Sequence, residues 1–243
     1  MTEKKLTGRV PRDAIRRMEL PRLDPGVLAR FAALEDLTGT LSDALDQLGL
    51  RGAVPAMELP PNLPGARVVG QAVTVRNVER TGGVTRNAED GKSRMGEQEA
   101  YNLAGPGDVV VIEGLPDASN MGGQSATLAQ RAGCAGAIID GAYRDPQVSR
   151  ELGLPLWARG VTPITGKWRL QTAEINGRVR IAGVSVDAGD LVAADEAGVV
   201  FVPFEQVEAV LRAAEHIDQG DARQRSDIAA GIDQAALAQT KYK

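Results

Sequence analysis

The chain holds one cysteine and one histidine in 243 residues. A lone Cys134 excludes an intrachain disulfide and fits a reducing compartment, so a cytoplasmic protein is expected. With His216 alone, any Ser-His-Asp, Cys-His or histidine-ligated metal site would have to be built on that residue. It lies in VLRAAEHIDQG, a polar helical stretch, and is expected to face solvent. Aromatic residues make up only 3%, so the core must come from Val, Leu, Ile and Ala, and little is available for stacking on bases. The net charge is −4 with no long basic run, which argues against nucleic acid as a partner. No apolar stretch approaches the roughly 20 residues of a membrane helix. The N-terminal MTEKKLTGRVPRDAIRRMEL is charged and lacks the apolar core of a signal peptide. Catalysis, if present, falls to carboxylates, Arg, Lys, backbone amides or an oxygen-ligated metal.

What is present is an ordinary globular balance, 43% hydrophobic and 25% charged, over a length that suits one large domain. Residues 25–50 read as helical, with Thr38 or Thr40 as cap of a second helix and Gly49 as its stop. Pro55 to Pro64 is a proline-rich connector. GARVVGQAVTVRNV (65–78) reads as one bent strand or a strand pair. Residues 80–95 read as a long polar, glycine-rich loop, a length that in a compact domain implies function or disorder. A short helix at Glu97–Leu103, a strand at 108–113, a helix at Gln124–Ala132 and strands at 135–139 and 154–160 follow. Residues 178–186 and the two halves of AGDLVAADEAGVVFVP read as β, and the chain is helical from Phe204. The short strands with repeated turns predict packed sheets flanked by helices, not a regular doubly wound sheet.

The stretch GCAGAIIDGAYRDPQ (133–147) carries the chemistry. A buried strand delivers Arg144 and Asp145 side by side, and Pro146 stiffens the exit. The planar fork of Arg144 suits a carboxylate, and Asp145 suits a hard cation such as Mg²⁺ or Mn²⁺. The plain alternative is an exposed ion pair on a turn, of little energetic weight. Upstream, Gly122 and Gly123 lead into a helix through Gln124 and Ser125, a natural place for exposed amides that bind an anion, or else an ordinary helix start. That helix runs directly into the strand bearing Arg144. Its N-terminus and the C-terminal end of the strand lie on the same side of such a unit. Glu113 and Asp117 are further candidate carboxylates. Arg86, Lys92 and Arg94 form either a basic lid or a solvated loop. Lys167 and Arg169 beside Trp168 reach substrate or cover surface, and Asp43 sits on a helix face.

In order along the chain, LSDALDQLG, GQAVTV, GPGDVVVIEG, the 122–132 helix, GCAGAIIDGAYRD, PLWARGVTP and VSVDAGDLVAADEAGVVFVP resemble the RraA-like family. That family includes divalent-metal-dependent 4-hydroxy-4-methyl-2-oxoglutarate / 4-carboxy-4-hydroxy-2-oxoadipate aldolases and a regulator of ribonuclease activity. The resemblance covers about residues 35–215, and DGAYRD and GD…AADEAGVVFVP are its most specific parts. It implies an α-β-β-α sandwich related to the phosphohistidine swivelling domain, with N- and C-terminal helices. It also implies homotrimers, or trimers paired into hexamers, with sites at subunit interfaces. Arg144 matches the arginine that holds the pyruvate part of substrate, and Asp145 the metal-ligating aspartate. Gly122, Gly123, Gln124 and Ser125 match the segment whose amides bind the substrate carboxylate. Two positions depart from the enzymes' pattern. Gly123 and Val148 stand where an acid is usual, so Asp117, Glu113 or an acid from a neighbouring subunit would have to take over their role near the metal.

The expected organisation is an N-terminal extension (1–24), one α/β domain (25–215) and a helical tail (216–243). The expected activity is metal-dependent retro-aldol cleavage or decarboxylation of a small anionic 2-oxo acid through a pyruvate enolate. The alternatives are a lyase or isomerase acting on a sugar-derived acid, and a non-catalytic regulator that binds a protein partner.

Overall fold

The computed structural model describes residues 5–243. The elements are α1 (Pro25–Ala32), α2 (Leu37–Gln47), β1 (Ala53–Pro55), β2 (Val68–Glu79), α3 (Val84–Glu89) and α4 (Glu97–Leu103). Then come β3 (Val109–Glu113), α5 (Gly123–Arg131), β4 (Gly136–Tyr143), α6 (Pro146–Glu151), β5 (Leu156–Val161) and β6 (Leu170–Ile175). The chain closes with β7 (Val179–Ile181), β8 (Val184–Val186), β9 (Leu191–Ala194), β10 (Gly198–Val202), α7 (Val207–Ala229) and α8 (Gln234–Gln239).

The fold is mixed α/β, with a central eight-stranded sheet flanked by helices. Its order is β1-β10-β9-β2-β3-β4-β5, with β6 also on β2. β2, β3, β4 and β5 run parallel; the remaining pairs are antiparallel. Strand β2 is long enough to serve three partners. Residues Val68 to Gln71 pair with β9, Ala72 to Arg76 with β3, and Val75 to Glu79 with β6. The predicted strand at 65–78 is thus one continuous strand, and Gly70 does not break it.

The sheet's residues alternate between two cores, as the pleat requires. Val110, Ile112 and Ile139 pack on one face with Ala100, Tyr101 and Ala126 of α4 and α5. Val109, Val111 and Ile138 pack on the other with Trp157 and the small β7–β8 hairpin. β3 reads as an unbroken apolar run because both its faces are covered. A third core joins α1, α2 and α7 to β9 and β10.

Both ends of the described residues are packed onto this body. Val10 and Ile15 enter the first core, and the Arg16 amide donates to Ile175 O at 2.9 Å. Helix α7 runs unbroken through residues 215 and 216 and buries Val210, Leu211, Ala214 and Ile217 on one stripe. Its exposed face carries His216, as expected from its polar neighbours. Beyond α8 the chain returns, and the Tyr242 hydroxyl donates to Asp227 at 2.7 Å.

Three local expectations are corrected. Asp36, not a threonine, occupies the N-cap position of α2, and Thr38 and Thr40 are buried inside the helix. Thr38 instead donates its amide and hydroxyl to Asp195, at 3.0 and 2.6 Å, tying α2 to the β9–β10 turn. Gly49 does end α2, at φ +66°, while the Leu50 amide closes back on Leu45 O. Residues 80–95 are not an open loop. They contain α3, and the buried Arg80 pins them through Asp90 at 3.0 Å and Lys92 O at 2.6 Å. Strand β4 runs on past Ile139 to Tyr143, with a register shift against β5 between Ile139 and Ala142. Asp140 at this irregularity accepts from Arg159 and from the Ala182 amide.

Candidate functional site

The parallel strands β3 and β4 end on one side of the sheet, and the chain between them returns to that edge. Buried Asn120 holds this return: its Nδ2 donates to Leu115 O and Ala118 O at 2.9 and 3.0 Å. The Asn120 amide donates to Ala142 O and the Arg144 amide to Met121 O, each at 2.9 Å. Residues 119–121 therefore lie alongside the end of β4, and α5 begins where β4 stops. The segment 162–168 closes the other flank. The Thr162 amide donates to Tyr143 O, and the Ser119 amide to Ile164 O. Gly166 comes so near that a Cβ there would meet Ser119 O at 2.2 Å, so only glycine allows the approach.

Asp145 adopts the left-handed conformation, φ 60° and ψ 53°, immediately before Pro146 opens α6. A non-glycine residue held there stores about 1–3 kcal/mol of strain, and such strain concentrates at functional sites. The surroundings hold it: Asp145 Oδ2 accepts the Gly123 amide at 2.8 Å. That carboxylate caps α5 from across the cleft, where Gly122 has no side chain to do so. Arg144 Nε lies 3.5 Å from the same oxygen and is buried without a hydrogen bond among the described residues. The helix leaves the Gln124 and Ser125 amides without intrahelical partners, as it does at any first turn.

These groups share a cavity of about 450 Å³, lined by Gly122, Gly123, Gln124, Ser125, Arg144 and Asp145. A larger groove of about 590 Å³ lies between α2 and the β7–β8 hairpin, but none of these residues reaches it. The sequence-predicted segments thus converge in one place. Other candidates do not. Glu113 accepts the Arg180 amide at 2.7 Å, supporting β7, and Asp117 is exposed; neither lines the cavity. Of the expected basic lid, Arg86, Lys92 and Arg94 face solvent, while Gly91, Ser93 and Met95 line the wall. Lys167 lines the cavity; Arg169 faces a neighbouring groove. Asp43 is on the exposed face of α2, 3.2 Å from Lys243.

Two charged lining residues escaped the sequence reading. Arg9 enters from the N-terminal segment. That segment is anchored where the Thr7 amide donates to Glu99 at 2.9 and 3.1 Å. Burial alone would raise the Glu99 carboxyl, but hydrogen bonds from Thr7 and Asn102 and from nearby amides outweigh it and hold the carboxyl below its ordinary value. Glu97, two residues earlier, goes the other way. Burial pushes its carboxyl up, and the bonds from Ser125 and its own amide and the charge of Arg9 offset only part of this. Its Oε1 accepts from Ser125 Oγ at 2.7 Å, and Oε2 has no partner among the described residues. The signal was a carboxylate on the apolar face of α4, three and four residues before the buried Ala100 and Tyr101.

Among the described residues no three Asp, Glu, His or Cys side chains gather as a ligand set. A zinc-type site is therefore not formed by the side chains of the described residues. A single carboxylate, oriented by an amide and about 40% exposed, does fit a Mg²⁺-like ion, which keeps several waters and takes one or two carboxylates.

The fold and this strand-end cavity define a class. A family model described as "RraA-like: Aldolase/RraA" matches residues 38–201, and the chain belongs to that family. It is 32% identical over 192 residues, 78% of this chain and 83% of the relative, to a protein of Halalkalibacterium halodurans named putative 4-hydroxy-4-methyl-2-oxoglutarate aldolase. It is 27% identical over 195 residues to protein DlpA of Legionella pneumophila; the match takes in 79% of this chain but only 30% of DlpA. Among solved structures it resembles Streptomyces coelicolor RraAS2, described as an unusual member of the RNase ES inhibitor RraA protein family. The TM-score is 0.72 at 26% identity, over 85% of this chain and 99% of that one.

Proposed function

We propose that the protein is a divalent-metal-dependent lyase that cleaves a small anionic 2-oxo acid, by retro-aldol reaction or decarboxylation, through the enolate of pyruvate. One observation carries this reading. The end of β4 presents Arg144 and Asp145 to the first turn of α5 across a single cavity, with Asp145 clamped on the Gly123 amide.

In that arrangement Arg144 binds the 2-oxo acid end of the substrate through its planar fork. As the C–C bond breaks, negative charge grows on the former keto oxygen, and a cation already in place stabilises it without reorganising. The Gln124 and Ser125 amides receive the substrate carboxylate at the helix N-terminus. Asp145 would hold the metal, Mg²⁺ or Mn²⁺, whose chemistry there is Lewis-acid polarisation of the keto group. Lys167 and Arg9 add positive charge at the wall, which suits a substrate with a second anionic group. Homotrimers or hexamers with interfacial sites, and a cytoplasmic location, belong to the same reading. No helix among the described residues is long and apolar enough to cross a membrane.

The support from relatives is their name as aldolases. One observation favours a second reading, a non-catalytic regulator. The two positions where acids are usual are neighbours here, and a Cβ on Gly123 would lie 3.0 Å from Val148 Cγ2. Pyruvate release from 4-hydroxy-4-methyl-2-oxoglutarate, oxaloacetate and a panel of sugar-derived acids, with Mg²⁺ or EDTA, separates the two. Metal-dependent turnover of a 2-oxo acid supports the lyase. Turnover of sugar acids alone redirects the substrate class, and no turnover by folded protein leaves the regulator.

A further inference from the structure

The lyase reading leaves one task without an owner. The enolate left after C–C cleavage must be protonated at carbon before pyruvate can leave, and the acids usual at positions 123 and 148 are absent. Among the described residues lining the cavity, Asp145 and Glu97 are the only carboxylic acids, and Asp145 is engaged with Gly123 and Arg144.

We infer that Glu97 is the acid that protonates the enolate carbon. This rests on the lyase reading and deepens it. The geometry is specific. Glu97 opens α4, is 5% exposed, and lines the cavity with its carboxyl fixed by Ser125 of α5. Ser125 is the fourth residue of the segment expected to bind the substrate carboxylate, so one hydrogen bond couples the acid to the substrate's anchor. Oε1 accepts from Ser125 Oγ at 2.7 Å, and Oε2 makes no bond among the described residues. A buried polar atom without a partner is uncommon in a settled structure.

The surroundings favour the protonated form. Burial raises the carboxyl's pKa above its ordinary value, and the Ser125 and backbone bonds and the charge of Arg9 offset only part of this. Tyr101, from the same helix, stays neutral: burial and the neighbouring Glu97 push its phenol well up. The remaining charged groups of the cavity are Arg144, Asp145 and Lys167. A general acid works best when it is still protonated near the working pH, and an ordinary exposed glutamate is not.

The step balances. The breaking C–C bond leaves its electron pair in the enolate. The enolate C=C then takes the proton, a C–H bond forms, the keto C=O is restored, and Glu97 is left as carboxylate. In a retro-aldol cleavage the substrate's hydroxyl proton is released and one equivalent returns to Glu97. In a decarboxylation the proton is replaced from water.

The test compares wild type, Glu97→Gln, Glu97→Asp and Ser125→Ala, each confirmed as folded by circular dichroism. It follows pyruvate release and solvent-deuterium entry into the pyruvate methyl group. Glu97→Gln preserves volume and can still accept from Ser125. It is expected to lower kcat and methyl exchange together by about 100-fold or more, with KM within about threefold and the high-pH limb of kcat abolished. Glu97→Asp should recover part of the loss, and Ser125→Ala should lose much less. The inference is overturned if active wild type and Glu97→Gln share one kcat and one pH profile. It is equally overturned if Ser125→Ala falls as far as Glu97→Gln, since Glu97 then only pins α4 to α5. If wild type neither releases pyruvate nor exchanges its methyl protons, the lyase reading itself fails and takes this inference with it.

Discussion

Asp145 Oδ2 accepts the amide of Gly123 at 2.8 Å, joining the end of β4 to the first turn of α5 across 22 residues of chain. One side chain therefore has two duties. It completes a helix N-terminus, and it supplies the carboxylate that the proposed metal needs. Substitutions separate these duties. Asn tolerates the left-handed backbone and offers an oxygen to the same amide. Asp145→Asn should stay within about 0.5 kcal/mol of wild type in chemical denaturation, while metal-dependent activity disappears. Asp145→Ala loses the cap and places a residue poorly suited to φ 60° there, so it should cost about 1–3 kcal/mol as well as activity. Equal stability of the two variants would show that the Gly123 bond holds nothing.

Gly123 and Val148 form a matched pair. A Cβ at 123 meets Val148 Cγ2 at 3.0 Å and Asp145 Cβ at 3.2 Å. Gly123→Asp alone should lower stability by about 1–3 kcal/mol through crowding. Adding Val148→Ala should recover part of the loss, with a coupling of about 0.5–3 kcal/mol in a double-mutant cycle. Strict additivity would mean that the two residues do not meet.

The N-terminal segment depends on Glu99. Its carboxyl is held below the ordinary value, so the docking contribution is present above the unfolded glutamate pKa and lost as pH falls through the folded one. Hydrogen exchange at the Thr7 amide, which donates to that carboxylate, should quicken in acid. Glu99→Gln should reproduce the quickening at neutral pH and raise KM by freeing Arg9. Unchanged exchange in the variant would place the anchor elsewhere.

Glu97 has the opposite sign. A carboxyl raised in the folded state contributes stability that is present below the unfolded pKa and lost as pH rises through the folded value. The Tm of Glu97→Gln minus that of wild type should therefore grow between acid and alkaline pH. A difference that is flat across that range contradicts a Glu97 carboxyl raised by burial.

Much of this was legible in the sequence because it is local. A short apolar run ending in a charged pair before proline, and a glycine pair entering a helix, mark the two walls of the cavity wherever the chain goes. What the sequence hid depends on distant partners. Asp140-Gly141 looks like a strand end, yet pairing with β5 carries β4 on to Tyr143. Thr38 looks like a cap, yet Asp195, 157 residues away, claims it. Glu97 reads as an ordinary first-turn acid until the sheet buries it. Arg9 reads as part of a polar extension, because nothing nearby in sequence says that Thr7 binds Glu99.

The central claim is that Asp145 and Arg144 make a metal-assisted site for a 2-oxo acid. The most direct measurement is pyruvate release from oxaloacetate and from 4-hydroxy-4-methyl-2-oxoglutarate, with Mg²⁺ and with EDTA, for wild type and Asp145→Asn. The account predicts release that EDTA abolishes, Mg²⁺ restores and the stably folded Asp145→Asn lacks. Release that survives both EDTA and Asp145→Asn, or no release by folded wild type, contradicts it.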